Sequence, residues 1–103
     1  MKLFIDTGNV KEVEQLASVG ILDGVTTNPS LLAKEDNDYR QILKQICQIV
    51  QGPVSAEVTA TDHETMLEEG QFLASLAKNV AVKVPLTVDG LKTCKKLRDQ
   101  GTM

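Results

Sequence analysis

Lys83 sits in the run Val80-Ala81-Val82-Lys83-Val84-Pro85, where apolar residues flank a single amine on both sides. An ammonium is costly to take out of water, so burial favours the neutral amine. A neutral amine is a nucleophile toward a carbonyl carbon and forms a Schiff base. The plainer reading is a lysine on a solvated strand face, or one that guards an edge strand against aggregation. Three more short runs carry groups of related use: Asp6 after Phe4-Ile5, Asn28 after Val25-Thr26-Thr27, and Glu57 between Ala56 and Val58. Carboxylates so placed could move protons for a Schiff-base reaction.

These four groups need four elements to hold them. Strand-like and helix-like segments alternate four times along the chain. Strands are predicted at Lys2–Asp6, Leu22–Thr26, Val54–Val58 and around Lys83, ending at Pro85. The first helix is expected over Val10–Ser18, with Asn9 and Glu12 spaced as a capping box. A second should begin after Asn37, with Tyr39, Ile42, Leu43, Ile46, Cys47 and Val50 on one face; Leu31–Asn37 reads as a loop with one extra turn. Thr61-x-x-Glu64 predicts the cap of a third helix carrying Met66, Leu73, Leu76 and Ala77. A last helix over Asp89–Asp99 should turn Leu91, Cys94 and Leu97 inward. Strands alternating with helices imply a parallel sheet covered by helices, an α/β fold.

Side chains alternate between the faces of a strand. Val54, Ala56 and Val58 therefore oppose Ser55 and Glu57, and Val80, Val82 and Val84 oppose Ala81 and Lys83. Ile5 opposes Phe4 and Asp6, while Gly24, Thr26 and Asn28 align. One face of each strand is aliphatic, and the other ends in Asp6, Asn28, Glu57 or Lys83. Parallel sheets are covered on both faces, so the four groups are expected inside the fold or at its mouth, where barrel enzymes place their chemistry. Taken singly, Asp6 could instead cap a helix and Asn28 could serve the turn before Pro29. As a set they point to a shared catalytic site. Burial of Lys83 and the two carboxylates act in opposite senses on the amine, one favouring the neutral form and the other the ammonium.

Composition removes several classes of function. A net charge of −3 offers no basic face for nucleic acid, and no apolar stretch approaches bilayer length. Met1-Lys2-Leu3-Phe4-Ile5-Asp6 meets an acid too early for a signal peptide. Cys47 and Cys94 fall on apolar helix positions and read as small hydrophobes of a reducing compartment, with no metal-ligand spacing. The one histidine, His63, is expected at the solvated start of a helix.

At these residues the chain resembles the transaldolase family. Phe4-Ile5-Asp6-Thr7, Gly24-Val25-Thr26-Thr27-Asn28-Pro29-Ser30-Leu31, Ala56-Glu57-Val58 and Val82-Lys83-Val84-Pro85 carry the likeness, over all 103 residues. It is similar above all to the small-subunit transaldolases and fructose-6-phosphate aldolases. The resemblance implies a (β/α)8 TIM barrel, with residues 1–103 forming its first four βα units. It implies Lys83 as the Schiff-base nucleophile and Asp6 as the base for the C4 hydroxyl. Asn28 would orient the intermediates, with Thr26 beside it in the substrate site, and Glu57 would handle the water of imine formation and hydrolysis. A glutamate at position 57, where the aldolase branch has glutamine, resembles the transaldolase branch.

The implied activity passes a dihydroxyacetone unit between sugar phosphates of the pentose phosphate pathway, in the cytoplasm and without cofactor or metal. The substrates would be fructose 6-phosphate, sedoheptulose 7-phosphate, erythrose 4-phosphate and glyceraldehyde 3-phosphate, and the protein a homo-oligomer. Four βα units are half a barrel, which typically takes about 250 residues. The sequence accordingly reads as the first half of a longer chain, without the phosphate-binding residues of the second half. Two other readings stand beside transaldolase. One is fructose-6-phosphate aldolase. The other is an inactive half-barrel that self-associates, two copies closing eight strands edge to edge.

Overall fold

A computed structural model describes residues 1–35 and 38–103. Its elements are β1 (Phe4–Asp6), α1 (Val10–Val19), β2 (Gly24–Thr26), α2 (Pro29–Ala33), α3 (Tyr39–Ile49), β3 (Val54–Glu57), α4 (His63–Leu76), β4 (Val80–Lys83) and α5 (Val88–Asp99). The four strands form one parallel sheet in the order β1-β2-β3-β4. Sequential parallel strands require a crossover at each step, and the helices supply it. This is the architecture expected of four consecutive βα units of a barrel.

The aliphatic strand face is the core face. Val25, Val54, Ala56 and Val80 are buried there beneath Val13 of α1, Ile42, Leu43 and Ile46 of α3, and Met66 and Leu73 of α4. Each such large side chain contributes about 1.5–3 kcal/mol by leaving water. Tyr39, read as part of the α3 stripe, is 42% exposed at the first turn. The thiol of Cys47, inside the stripe, is pushed up to about 11 by burial.

Both faces of the sheet were expected to be covered, but the helices cover one. Phe4 and Asp6 of β1 and Lys83 of β4 are exposed on the other face. The reason is closure: a barrel's inner face is shielded by the far side of the barrel, and four strands have no far side. Three strands are shorter than the apolar runs that signalled them. Leu3 bonds the turn residue Asp23 through both its N–H and its carbonyl, so the β1–β2 ladder starts at Phe4.

Local chemistry sets the helix ends. Asn9 caps α1 by accepting from the Glu12 N–H at 3.1 Å. Glu12 does not reach back to Asn9 as a capping box requires. Its carboxylate accepts from Thr7 Oγ1, which itself accepts from the Asn9 N–H. Gly20 ends α1 with φ 83, a left-handed value that a side chain would strain. The extra turn expected at Leu31–Asn37 is the end of α2, which starts two residues earlier, capped by Asn28 and begun by Pro29; residues 36 and 37 lie outside the described residues. The start of α4 is also displaced by one residue from the Thr61 capping box. Asp62 is the cap, accepting from both the N–H and the hydroxyl of Thr65.

At α5 the inward face is Gly90, Thr93 and Leu97, so Leu91 and Cys94 are exposed rather than buried. Leu97 packs over Gly70 of α4, where a side chain would run into it, and Gly90 lies against the Pro85 carbonyl. His63 is likewise half-buried rather than solvated. Its Nδ1 lies 2.9 Å from the hydroxyl of fully buried Thr93. That hydroxyl donates to the Asp89 carbonyl, so the ring nitrogen is the donor to Thr93.

Asn79 ties the end of α3 to the start of β4. Its side-chain N–H group donates to the carbonyls of Cys47, Val50 and Gly52 at 2.8–3.2 Å. After α5 the chain turns at Gly101, and the Met103 carbonyl accepts from the Val82 N–H at 3.3 Å. Residue 103 thus lies at the outer edge of β4.

The bonds from Thr65 hold the Asp62 carboxyl below its ordinary 3.8. A carboxyl depressed by folding adds stability above its unfolded value and loses it as pH falls through its folded value. Asp62→Ala should therefore lower the thermal midpoint at pH 7, and the gap from the parent should close as pH drops below 3.8. Melting curves across that range check both parts.

Candidate functional site

Register places the polar tips. Asp6 pairs with Thr26, Thr26 with Ser55, and Ser55 with Ala81, making one row across the inner face. Glu57 pairs with Lys83 two residues further along, toward the C-terminal ends of the strands. Gly24, below Thr26, leaves room for the Phe4 ring. A side chain there would strike that ring and the Pro53 carbonyl.

Two pairs form. Lys83 Nζ lies 3.9 Å from Glu57 Oε2, with the two side chains 59% and 29% exposed. Thr26 Oγ1 donates to Asp6 Oδ1 at 2.9 Å. The pairs remain apart: β1 and β4 are three strand spacings from each other, about 14 Å along a flat sheet. Among the described residues no contact joins Asp6 to Lys83.

Lys83 is not the buried lysine expected from its neighbours. Val80, Val82 and Val84 point to the helices, while Lys83 points to the open face and stands largely in water. The apolar residues beside it in sequence therefore do not desolvate it. Desolvation at this position needs a wall across the inner face.

Asp6 does not cap a helix, since Asn9 takes that role. Asn28 does cap one: its Oδ1 accepts from the Leu31 N–H at 2.9 Å. The cap fixes the side-chain amide by its oxygen. Among the described residues its NH2 makes no hydrogen bond and can donate to a ligand. Helix cap and ligand contact are thus compatible uses of one residue.

Several supporting residues carry no local sequence signal. The Thr27 hydroxyl, buried, donates to the Ser55 carbonyl at 2.6 Å, and the Thr27 N–H meets the Ser55 hydroxyl, cross-linking β2 to β3 beside the site. Glu69 of α4 accepts from the Thr59 N–H, the Thr59 hydroxyl and the Ala60 N–H at 2.7–3.0 Å. It pins the loop that follows Glu57. A groove of about 380 Å³ opens beside Glu57, walled by Leu32, Ala33, Tyr39, Leu43 and Leu73. Among the described residues no His, Cys, Asp or Glu cluster could hold a metal ion.

A family model described as Transaldolase/Fructose-6-phosphate aldolase matches residues 3–103. A protein named "Probable transaldolase" from Sphingopyxis alaskensis is 58% identical over 103 residues, covering 100% of this chain and 48% of the relative. A second, with the same name, from Parvibaculum lavamentivorans is 60% identical over the same span, 47% of its length. A third, from Rhodospirillum centenum, is 57% identical over 45% of its length. The chain spans about half the length of these curated relatives.

An ion pair this long and exposed adds little to stability, typically about 0–1 kcal/mol. Lys83→Met should therefore change the unfolding free energy by no more than about 1 kcal/mol. Urea denaturation measures it; a loss of about 3–5 kcal/mol would instead mark a buried structural pair.

Proposed function

We infer the activity from a plain premise: this chain belongs to the Transaldolase/Fructose-6-phosphate aldolase family. Within it we propose the transaldolase reaction, transfer of a dihydroxyacetone unit between sugar phosphates through a Schiff base on Lys83. The observation that carries the reading is the Glu57–Lys83 pair on the inner face, in one register row at the C-terminal strand ends. Fructose 6-phosphate and sedoheptulose 7-phosphate would donate, and erythrose 4-phosphate and glyceraldehyde 3-phosphate would accept. These are cytoplasmic metabolites, and the cytoplasm is the proposed location.

The steps follow from the groups. The amine of Lys83 adds to the C2 carbonyl of the ketose, and the carbinolamine loses water to give a protonated imine. Glu57, 3.9 Å from the amine, would pass the protons of that dehydration and of the later hydrolysis. Asp6, oriented by the Thr26 hydroxyl, takes the proton of the C4 hydroxyl. The C3–C4 bond then breaks, its electron pair moves into the imine, and the aldehyde fragment leaves. The enamine left on Lys83 adds to the carbonyl of an acceptor aldose, and water frees the new ketose. The Asn28 NH2 would donate to the hydroxyls of these intermediates. No cofactor is required, because the protonated imine is itself the electron sink.

Glutamate at position 57 favours this reading over fructose-6-phosphate aldolase, which would release free dihydroxyacetone without an acceptor. The chain supplies half of the barrel its relatives have, and full turnover requires the inner face to be closed. Trapping tests the proposal directly. With fructose 6-phosphate and borohydride, intact mass of a protein in which four further strands close the barrel on residues 1–103 should show a reduced three-carbon adduct, absent in Lys83→Met. In Asp6→Asn, cleavage should slow by about 10²–10⁴-fold, so the trapped species becomes the uncleaved six-carbon adduct. An adduct that survives Lys83→Met, or none in the folded closed protein, would contradict the assignment.

A further inference from the structure

Among the described residues the Glu57 carboxylate has one polar partner, the Lys83 amine at 3.9 Å, which is beyond hydrogen-bonding distance. No hydrogen bond to the side chain fixes it, so its place is set by the backbone that carries it. Glu57 is the last residue of β3. The three N–H groups that follow it are all taken. Val58 donates to the Lys83 carbonyl at 3.1 Å, which continues the β3–β4 ladder one residue past the pair. Thr59 and Ala60 donate to Glu69 Oε1 at 2.7 and 3.0 Å, and the Thr59 hydroxyl donates to Oε2 at 2.8 Å.

Glu69 gives this loop a rigid support. Both of its carboxylate oxygens are engaged, so the side chain cannot rotate without giving up a bond. Bonds to an ionised acceptor are about twice as strong as neutral ones. The helix behind Glu69 is itself held. Met66 and Leu73 of α4 are buried in the core, and Gly70, next to Glu69, lets the helix sit close to Val82 of β4 and Leu97 of α5. A helix packed on the strand of Lys83 thus grips the loop that continues from Glu57. Glu57, Thr59 and Glu69 line the same groove.

We propose that Glu69 is a positioning residue. It holds the Thr59–Ala60 backbone, and through it keeps the Glu57 carboxylate where it serves imine formation and hydrolysis at Lys83. Among the described residues no bond joins Glu69 to Lys83, and the proton transfers stay with Glu57. The inference rests on the transaldolase reading and deepens it. Its effect is on rate, because a displacement of about 1 Å at a reacting group can cost about 10²-fold. Cleavage of the C3–C4 bond falls to Asp6 on β1, two strands from β3 and outside the reach of this grip.

The test uses the protein closed by four further strands, its folding checked by circular dichroism. Fructose 6-phosphate is added, borohydride quenches at set times, and intact mass gives the amount and size of the adduct. Glu69→Ala should slow adduct formation by about 10²-fold, while the adduct is cleaved to three carbons as completely as before. Glu69→Gln should restore most of the rate. Its carbonyl still accepts from both N–H groups, and its amide can donate to the Thr59 hydroxyl. Thr59→Val removes one bond of the three and should slow the same step to a smaller degree, a second measure should Glu69→Ala misfold. Adding Glu69→Ala to Glu57→Ala should slow the reaction no further, because nothing is left to position. Four results would each overturn the positioning role while leaving Lys83 as nucleophile. They are a Glu69→Ala rate equal to the unsubstituted protein's, Glu69→Gln no faster than Glu69→Ala, a further loss on top of Glu57→Ala, or six-carbon adduct accumulating as in Asp6→Asn. A folded, unsubstituted protein without adduct would overturn the transaldolase reading, and this inference with it.

Discussion

The register of four parallel strands governs everything else in this molecule. Because side chains alternate with a period of two, slipping β4 by one residue against β3 would turn Lys83 toward Met66 and Leu73 and turn Val82 and Val84 outward. The register is held from the core face. Val25, Val54 and Val80 sit side by side, sealed by α3 and α4. Burial of the aliphatic face thus dictates which groups appear on the inner face. The site is a consequence of packing on the side where no chemistry occurs.

That division explains what the sequence made legible. Alternation in Val54–Val58 and Val80–Val84 reveals which side chains share a face without any knowledge of the partners. The facing of Asp6, Thr26, Glu57 and Lys83 agrees with that reading. The helices were visible for the same reason, most clearly α3, whose Ile42, Leu43 and Ile46 are fully buried. Less legible was whatever depends on a neighbour distant in sequence. Nothing near Asn79 announces that its amide will cap α3, 29 residues earlier. Nothing near Glu69 announces its grip on the Thr59–Ala60 backbone. Leu91, Cys94 and Leu97 looked inward by spacing alone; Leu97 is buried as expected, but Gly90, against the Pro85 carbonyl, and Thr93, against His63, take the places of Leu91 and Cys94.

Exposure of Lys83 follows from the same logic. Alternation reports which face a side chain is on, not whether that face is covered. The flanking valines suggested burial because in a closed barrel both faces are dry. In four βα units the inner face has no opposite wall, and the amine meets water beside Glu57. The Schiff-base chemistry we propose needs its groups both aligned and shielded from bulk water. These residues supply the alignment, in two hydrogen-bonded or ion-paired couples on rigid strand ends. The shield has to come from four more strands.

Supplying those strands is therefore the most direct measurement. Residues 1–103 can be joined to the part of the Sphingopyxis alaskensis relative that extends beyond the matched span, and transfer of a three-carbon unit from fructose 6-phosphate to erythrose 4-phosphate followed. The account predicts turnover in the joined protein, abolished by Lys83→Met while the protein stays folded. Turnover that survives loss of Lys83, or a folded joined protein with no transfer, would contradict it.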